Sequence, residues 1–227
     1  MKAVFFDFDG TLTKKSPNIW KSIWIALGYK VGEGTYYRQL FQDFISGRIS
    51  HQEWCDFTCS AFQKRGMTTE TLHKLVEKIK LLDGVEDTLR ILKDNGFSLH
   101  IVSGNIIVVI ERVLGDKIKY FDSINANDLY FDNNNSLTYI KGTNYDFEGK
   151  ATFIEKYKKQ TNTKAKDLYF VGNGSNDKWA HLSGCHTICI NPDDTDRDST
   201  KWHQIIEDVN DLKDILSLLI KEQNAKI

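Results

Sequence analysis

The chain has no surplus of charge of either sign: 30 Lys plus Arg stand against 31 Asp plus Glu in 227 residues. Nucleic acids and anionic membrane surfaces draw on a basic excess, so neither is the expected partner and a small molecule is. The run Glu155-Lys156-Tyr157-Lys158-Lys159 is basic locally and reads as a solvated helix face. Long apolar runs are missing too. The first one meets Asp7 after a few residues, so neither a signal peptide nor a membrane span is expected and the expected location is cytoplasmic. Cysteine is scarce. The 4 cysteines fall as Cys55/Cys59 on a predicted helix and Cys185/Cys189 at the edge of a predicted strand, with no Cys-x-x-Cys or His-x-x-x-His beside them. That spacing does not make a zinc site, and buried reduced thiols are expected. No internal repeat is present.

What is there is enough chain for an adequate core, either as one α/β domain or as a core with a smaller insert. Residues 2–8 form a short β-type run, after which the pattern turns helical until about residue 82. Ser16 with Pro17 is expected to open a first helix carrying Trp20, Ile23, Trp24 and Leu27 and closed by Gly28. A second starts near Thr35 and places Tyr37, Leu40, Phe41 and Phe44 inward. Ser50 and Glu53 have capping-box spacing and open a third, with Trp54, Phe57, Ala61 and Phe62 on its apolar face. A fourth follows Thr68 with Leu72, Leu75, Val76 and Ile79. From residue 83 strands and helices alternate, which predicts a parallel sheet covered on both faces, with a β-hairpin over residues 129–140. The expected architecture is an α/β, doubly wound, Rossmann-like core of residues 1–13 and 83–227, carrying a small four-helix cap of residues 14–82 and a hairpin flap.

In Asp7-Phe8-Asp9-Gly10-Thr11, residues two apart on a strand point the same way, so Asp7 and Asp9 project together from the carboxyl end of the first strand, where such folds bind ligands. Two carboxylates so placed repel unless a cation or a proton lies between them, and an all-oxygen site suits Mg2+. By itself Asp-x-Asp is equally a pair of turn aspartates. Three further strand-end features join it in order. Ser103-Gly104-Asn105 offers a hydroxyl and a Gly that lets backbone N–H groups approach an anion at the start of the next helix. Lys150 follows Gly149 at another helix start, and Gly172-Asn173-Gly174-Ser175-Asn176-Asp177 ends a later strand.

These four motifs resemble those of the haloacid dehalogenase superfamily, in the branch of phosphoserine phosphatase and its relatives, over nearly the whole chain. The resemblance implies that Asp7 is the nucleophile and Asp9 the acid that protonates the leaving oxygen and then activates water. It implies Mg2+ held by Asp7, Asp9 and position 173, with Asp177 supporting the metal, and phosphate oxygens held by Thr11, Ser103, Gly104, Lys150 and Asn176. The family carries Asp where this chain has Asn173, so weaker metal binding is expected, with Asp177 as the carboxylate able to take the vacated place. At the positions where phosphoserine phosphatases hold the amino acid's charges this chain has Ser16 and Thr58, both neutral. Trp20, Trp24 and Trp54 read either as bundle core or as an aromatic cage for a quaternary amine. The expected function is Mg2+-dependent hydrolysis of a small phosphorylated metabolite through an aspartyl-phosphate. The alternative is a binding protein of the same fold whose catalysis Asn173 has impaired.

Overall fold

The structure is a computed structural model and describes residues 2–192 and 201–220. Seven strands form one sheet in the order β4-β3-β2-β1-β5-β6-β7. They are β1 Lys2–Phe6, β2 Phe97–Ile106, β3 Ser123–Phe131, β4 Leu137–Lys141, β5 Leu168–Gly172, β6 His186–Ile190 and β7 Gln204–Ile206. All neighbours pair in parallel except β3 with β4, which form the hairpin. The helices are α1 Ile19–Ala26, α2 Tyr36–Ile45, α3 His51–Lys64, α4 Thr69–Val76, α5 Val85–Asp94, α6 Ile107–Leu114, α7 Glu148–Thr161 and the single turn α8 Leu216–Leu219.

The central strand shows why both faces are covered. Val4 and Phe6 enter one apolar layer with Leu89 and Leu92 of α5, while Ala3 and Phe5 enter another with Ile154 of α7, and all are buried. A period of two on a strand buried on both sides reads as an unbroken apolar run, as Ala3-Val4-Phe5-Phe6 does. After β1 the chain builds outward through β2 and β3, then returns to place β5 on the other side of β1. The carboxyl ends of β1, β2 and β5 therefore meet where the winding reverses, which is where ligands bind in open α/β sheets.

Residues 14–82 carry α1 to α4. The linkers in and out pair briefly, Thr13 bridging Leu81, with Lys14 N–H donating to Lys80 at 2.8 Å and Leu82 N–H to Leu12 at 2.9 Å. The capping box of Ser50 and Glu53 is formed. α2 and α4 start where the sequence places them, and Thr35 and Thr68 are their caps. For α1 the cap is Asn18, whose side chain accepts from Lys21 N–H, and Ser16 with Pro17 lies in the approach to the helix. Phe57, expected inward, is 46% exposed, because the face of α3 that meets the hairpin runs through Trp54, Cys55, Thr58, Cys59 and Phe62. Trp20, Ile23, Trp24, Trp54 and Phe62 share one apolar cluster with Val109 of α6 and Leu129, Leu137 and Ile140 of the hairpin. Gln63 adds a polar tie, its Nε2 donating to the Thr138 carbonyl at 2.9 Å.

Candidate active site

Asp7 continues the line of β1, its N–H donating to the Val171 carbonyl at 2.9 Å. Phe8 then turns into the core while Asp7 and Asp9 both face a cleft of about 240 Å³. The chain reverses at Gly10, which has φ 71° and is held by Thr13 Oγ1, the acceptor for Gly10 N–H at 3.0 Å. A side chain at Gly10 would be strained by that φ and would also meet the Asn173 amide, whose Nδ2 lies 2.3 Å from where its Cβ would stand. Asn173 thus sits directly over the turn that bears the two acids.

Lys150 is fully buried. Its ammonium donates to Asp7 Oδ1 at 2.8 Å and to Asp177 Oδ1, while the other Asp177 oxygen accepts from Asn173 N–H at 2.9 Å and Gly174 N–H at 3.0 Å. Asp177 is therefore engaged on both oxygens behind the cleft and anchors the loop that presents Asn173. Burial works against the Lys150 charge, but Asp177 and Asp7 outweigh it and hold its pKa above the ordinary lysine value. Asp7 is pushed up, first by burial and then by repulsion from Asp177, against the pull of Lys150. Asp9 rises from 3.8 to about 6, again through burial, although Asn105 opposes the rise by donating Nδ2 to both of its oxygens at 2.9 Å.

Ser103, Gly104 and Asn105 also line the cleft. They were expected to lie between a strand ending at Val102 and a helix starting at Ile106; the helix starts at Ile107, but β2 runs on through them to Ile106. The register against β3 shifts between Val102 and Ile106, and that irregularity, not a helix N-terminus, exposes this backbone to the cleft. Asn127 fixes it, Nδ2 donating to the Gly104 carbonyl at 2.7 Å and the Asn105 carbonyl at 3.1 Å. Trp20 Nε1 reaches the same Gly104 carbonyl at 2.9 Å from α1. Asn176 lines the cleft and donates to Asp146 Oδ1 at 2.6 Å. Thr11 is buried away from the cleft lining, its hydroxyl without a partner.

Sequence reasoning brought Asp7, Asp9, Ser103, Gly104, Asn173 and Asn176 to one cleft, with Lys150 and Asp177 directly behind it. It missed the roles of Asn105, Asn127 and Asp146. Asn105 lay inside a motif already marked, whereas Asp146 carried no signal beyond standing four positions before Lys150. The tryptophans do not make a cage: Trp24 is wholly buried among Tyr29, Tyr37 and Phe62, Trp20 meets Trp54 edge to face at 5.1 Å, and of the three only Trp20 lines the cleft. All four cysteines are buried free thiols, and burial raises Cys55 to about 12 and Cys185 to about 11.

The donor set fits a hard divalent cation. Asp7, the Asp9 backbone and the Asn173 amide bring oxygen ligands to one cleft from the ends of β1 and β5, and burial disfavours the two carboxylates as anions in the absence of a cation.

Known proteins resemble this chain in sequence and in fold. A phosphoserine phosphatase of Archaeoglobus fulgidus is 25% identical over 177 residues, 78% of this chain and 48% of that protein, so the chain spans about half the length of that relative. One of Methanocaldococcus jannaschii is 22% identical over 176 residues, covering 78% of this chain and 79% of that one. Among solved structures, an apo phosphoserine phosphatase superposes with a TM-score of 0.72 at 22% identity, over 96% of this chain and 99% of that one. A substrate-bound phosphoserine phosphatase complex gives 0.71 at 22% identity, over 96% and 98%. At such identity the superpositions speak for the fold. Residues 4–178 match the haloacid dehalogenase-like hydrolase family, and the chain belongs to that family.

Proposed function

We propose that the protein is a Mg2+-dependent phosphomonoesterase acting on a small phosphorylated metabolite in the cytoplasm, with residues 14–82 as a cap over a core of residues 1–13 and 83–227. The observation that carries this reading is the pairing of two unlike carboxylates in one cleft. Asp7 is held by a buried ammonium, while Asp9 is held on both oxygens by the Asn105 amide. The first arrangement fixes a nucleophile and the second orients a group that passes a proton.

In the first half-reaction a carboxylate oxygen of Asp7 forms a bond to phosphorus as the ester P–O bond breaks, and Asp9 gives its proton to the departing alcohol oxygen. In the second, Asp9 takes a proton from water while the water oxygen attacks phosphorus, releasing inorganic phosphate and restoring Asp7. Bound Mg2+ would be held by Asp7, the Asp9 carbonyl and Asn173, and would offset the repulsion between the anionic nucleophile and the anionic ester. The Ser103 hydroxyl, which lines the cleft, would hold a phosphoryl oxygen as charge moves onto it, and the Lys150 ammonium behind Asp7 would offset that charge. Asn105 orients Asp9, and Asn127 and Trp20 keep the Ser103–Asn105 backbone in position.

Hydrolysis of a panel of phosphate monoesters with and without Mg2+, together with acid-quench trapping of phosphate on Asp7, tests the reading. Turnover that needs Mg2+ and leaves label on Asp7 supports it. Binding of phosphate esters without turnover at any Mg2+ concentration would favour the second reading, a binding protein impaired at Asn173.

A further inference from the structure

Beside the catalytic cleft lies a larger cavity of about 690 Å³, and the Asp146 side chain lines both. The core side of the cavity is built by Phe147 and Glu148 at the start of α7 and by Trp179; the α2–α3 side is built by Phe44 and His51. Phe44 meets Phe147 edge to face, ring centroids 6.3 Å apart, and stacks on His51 at 5.1 Å. Phe147 makes this contact from φ 48°, a conformation that bulky L residues rarely adopt. Asp146 and Glu148 are the charged groups of the lining, and no Lys or Arg stands among the described lining residues. His51 adds no positive charge at neutral pH, since burial holds its pKa below the ordinary histidine value. Trp179 already accepts a cation on its ring, with Lys201 Nζ 5.1 Å from the centroid.

We infer that this cavity seats a cationic leaving group, so that the ester hydrolysed in the adjoining cleft is the phosphate of an amino alcohol, its ammonium or quaternary nitrogen lying among Phe44, Phe147 and Trp179 and facing Asp146 and Glu148. The inference rests on the phosphatase reading of the cleft. Aromatic faces attract a cation through their quadrupoles, more strongly in a half-enclosed site than in open water. Asp146 stands at the junction: one oxygen accepts from Asn176, and the other lies 2.3 Å from where a Gly104 Cβ would be, beside the backbone expected to hold the phosphate. Two cations oppose the inference: Lys15, which lines the cleft and would favour an anionic leaving group, and Lys201, whose ammonium stands on the Trp179 ring. Lys15 is exposed and discriminates less than a walled pocket, and the Phe44 and Phe147 rings have no ammonium against them among the described residues.

The test compares phosphocholine with its uncharged carbon isostere 3,3-dimethylbutyl phosphate, phosphoethanolamine with propyl phosphate, and 3-phosphoglycerate as the anionic case, using the full chain with saturating Mg2+. The expected result is a kcat/KM about tenfold or more higher for each cation than for its isostere, a gap of one cation–π contact with a partly desolvated charge. Glu148→Gln, at an exposed position, and Trp179→Leu are each expected to shrink that ratio. Equal handling of cation and isostere, or preference for 3-phosphoglycerate, overturns the inference and leaves the phosphatase reading standing. If no ester is hydrolysed, the phosphatase reading falls. Calorimetric binding of the same esters to the Mg2+-loaded protein then decides the pocket: a tighter Kd for the cations supports it and equal Kd values sink it.

Discussion

Lys150 and Asp7 form a fully buried ion pair at 2.8 Å, and the same ammonium holds Asp177. One cation thus serves the proposed nucleophile and the loop that carries Asn173. Removing it by Lys150→Ala leaves two carboxylates buried and uncompensated. We expect a loss of about 3–5 kcal/mol at pH 7, measured by urea denaturation. The loss should shrink in acid as the carboxylates take up protons. A stability unchanged by the substitution would mean that water reaches these groups.

Asp7→Asn is expected to fold, since it removes a group that burial already disfavours as an anion, and to lose turnover altogether because an amide forms no acyl-phosphate. Asp9→Asn should differ in kind. It should retain a burst of Asp7 phosphorylation with an aryl phosphate whose leaving group needs no proton, and lose steady-state turnover. Rapid-quench measurement on both variants checks the assignment. A burst from Asp7→Asn, or none from Asp9→Asn, reverses it.

Asn173→Asp restores a carboxylate at nearly constant shape above Gly10. Mg2+ should bind more tightly and activity at low metal should rise, with the gain fading at saturating Mg2+. Isothermal titration with Mg2+ alongside the rate reads both effects. No change in either would show that position 173 is not a metal ligand, and activity that appears only in the variant would mean that the parent chain is a binding protein.

pH and metal should be linked. In the metal-free protein Asp9 titrates at about 6, above its ordinary 3.8, and Asp7 is raised as well. Raised carboxylates contribute stability that is complete below about pH 4 and is lost as pH climbs through the folded-state value, for Asp9 about 3 kcal/mol at order of magnitude. Added Mg2+ offsets that loss. The rise in Tm on adding Mg2+ is therefore expected to be larger at pH 8 than at pH 5, and equal rises would exclude these carboxylates as the metal's ligands.

Phosphoserine is expected to be a poor substrate. The Ser16 hydroxyl is neutral and Thr58 is buried within α3 with its hydroxyl unpaired, so neither supplies a charge to the amino acid head group. Each absent charge-assisted contact costs about 1.5–3 kcal/mol. A kcat/KM for phosphoserine above that for phosphoethanolamine would show that other groups hold the serine carboxylate.

Local rules carried the sequence reading a long way. The two-residue period that aims Asp7 and Asp9 together, the Ser50–Glu53 box and the glycine stops all act within a few residues, so they were legible. The errors and omissions have a different origin. That β2 runs through Ser103 depends on its pairing with β3, more than 20 positions onward, and the grip of Asn127 on Gly104 spans 23. Phe57 looked apolar and inward, yet which face of α3 is covered is decided by the hairpin. Strand β7, three residues without alternation, is defined by its ladder with β6 alone. Asp146 gains meaning through Asn176, 30 positions away, and no window on the sequence joins them.

The apolar cluster that runs from α1 and α3 through α6 into the β3–β4 hairpin has a practical consequence for recombining such proteins. A graft that exchanged residues 14–82 alone would cut through the middle of that cluster and leave Leu129, Leu137 and Ile140 facing unfamiliar side chains. The exchangeable cassette has to include the hairpin. Because α6 follows directly on the strand bearing Ser103, a mismatched graft would announce itself as a disturbed Ser103–Asn105 segment well before the protein failed to fold.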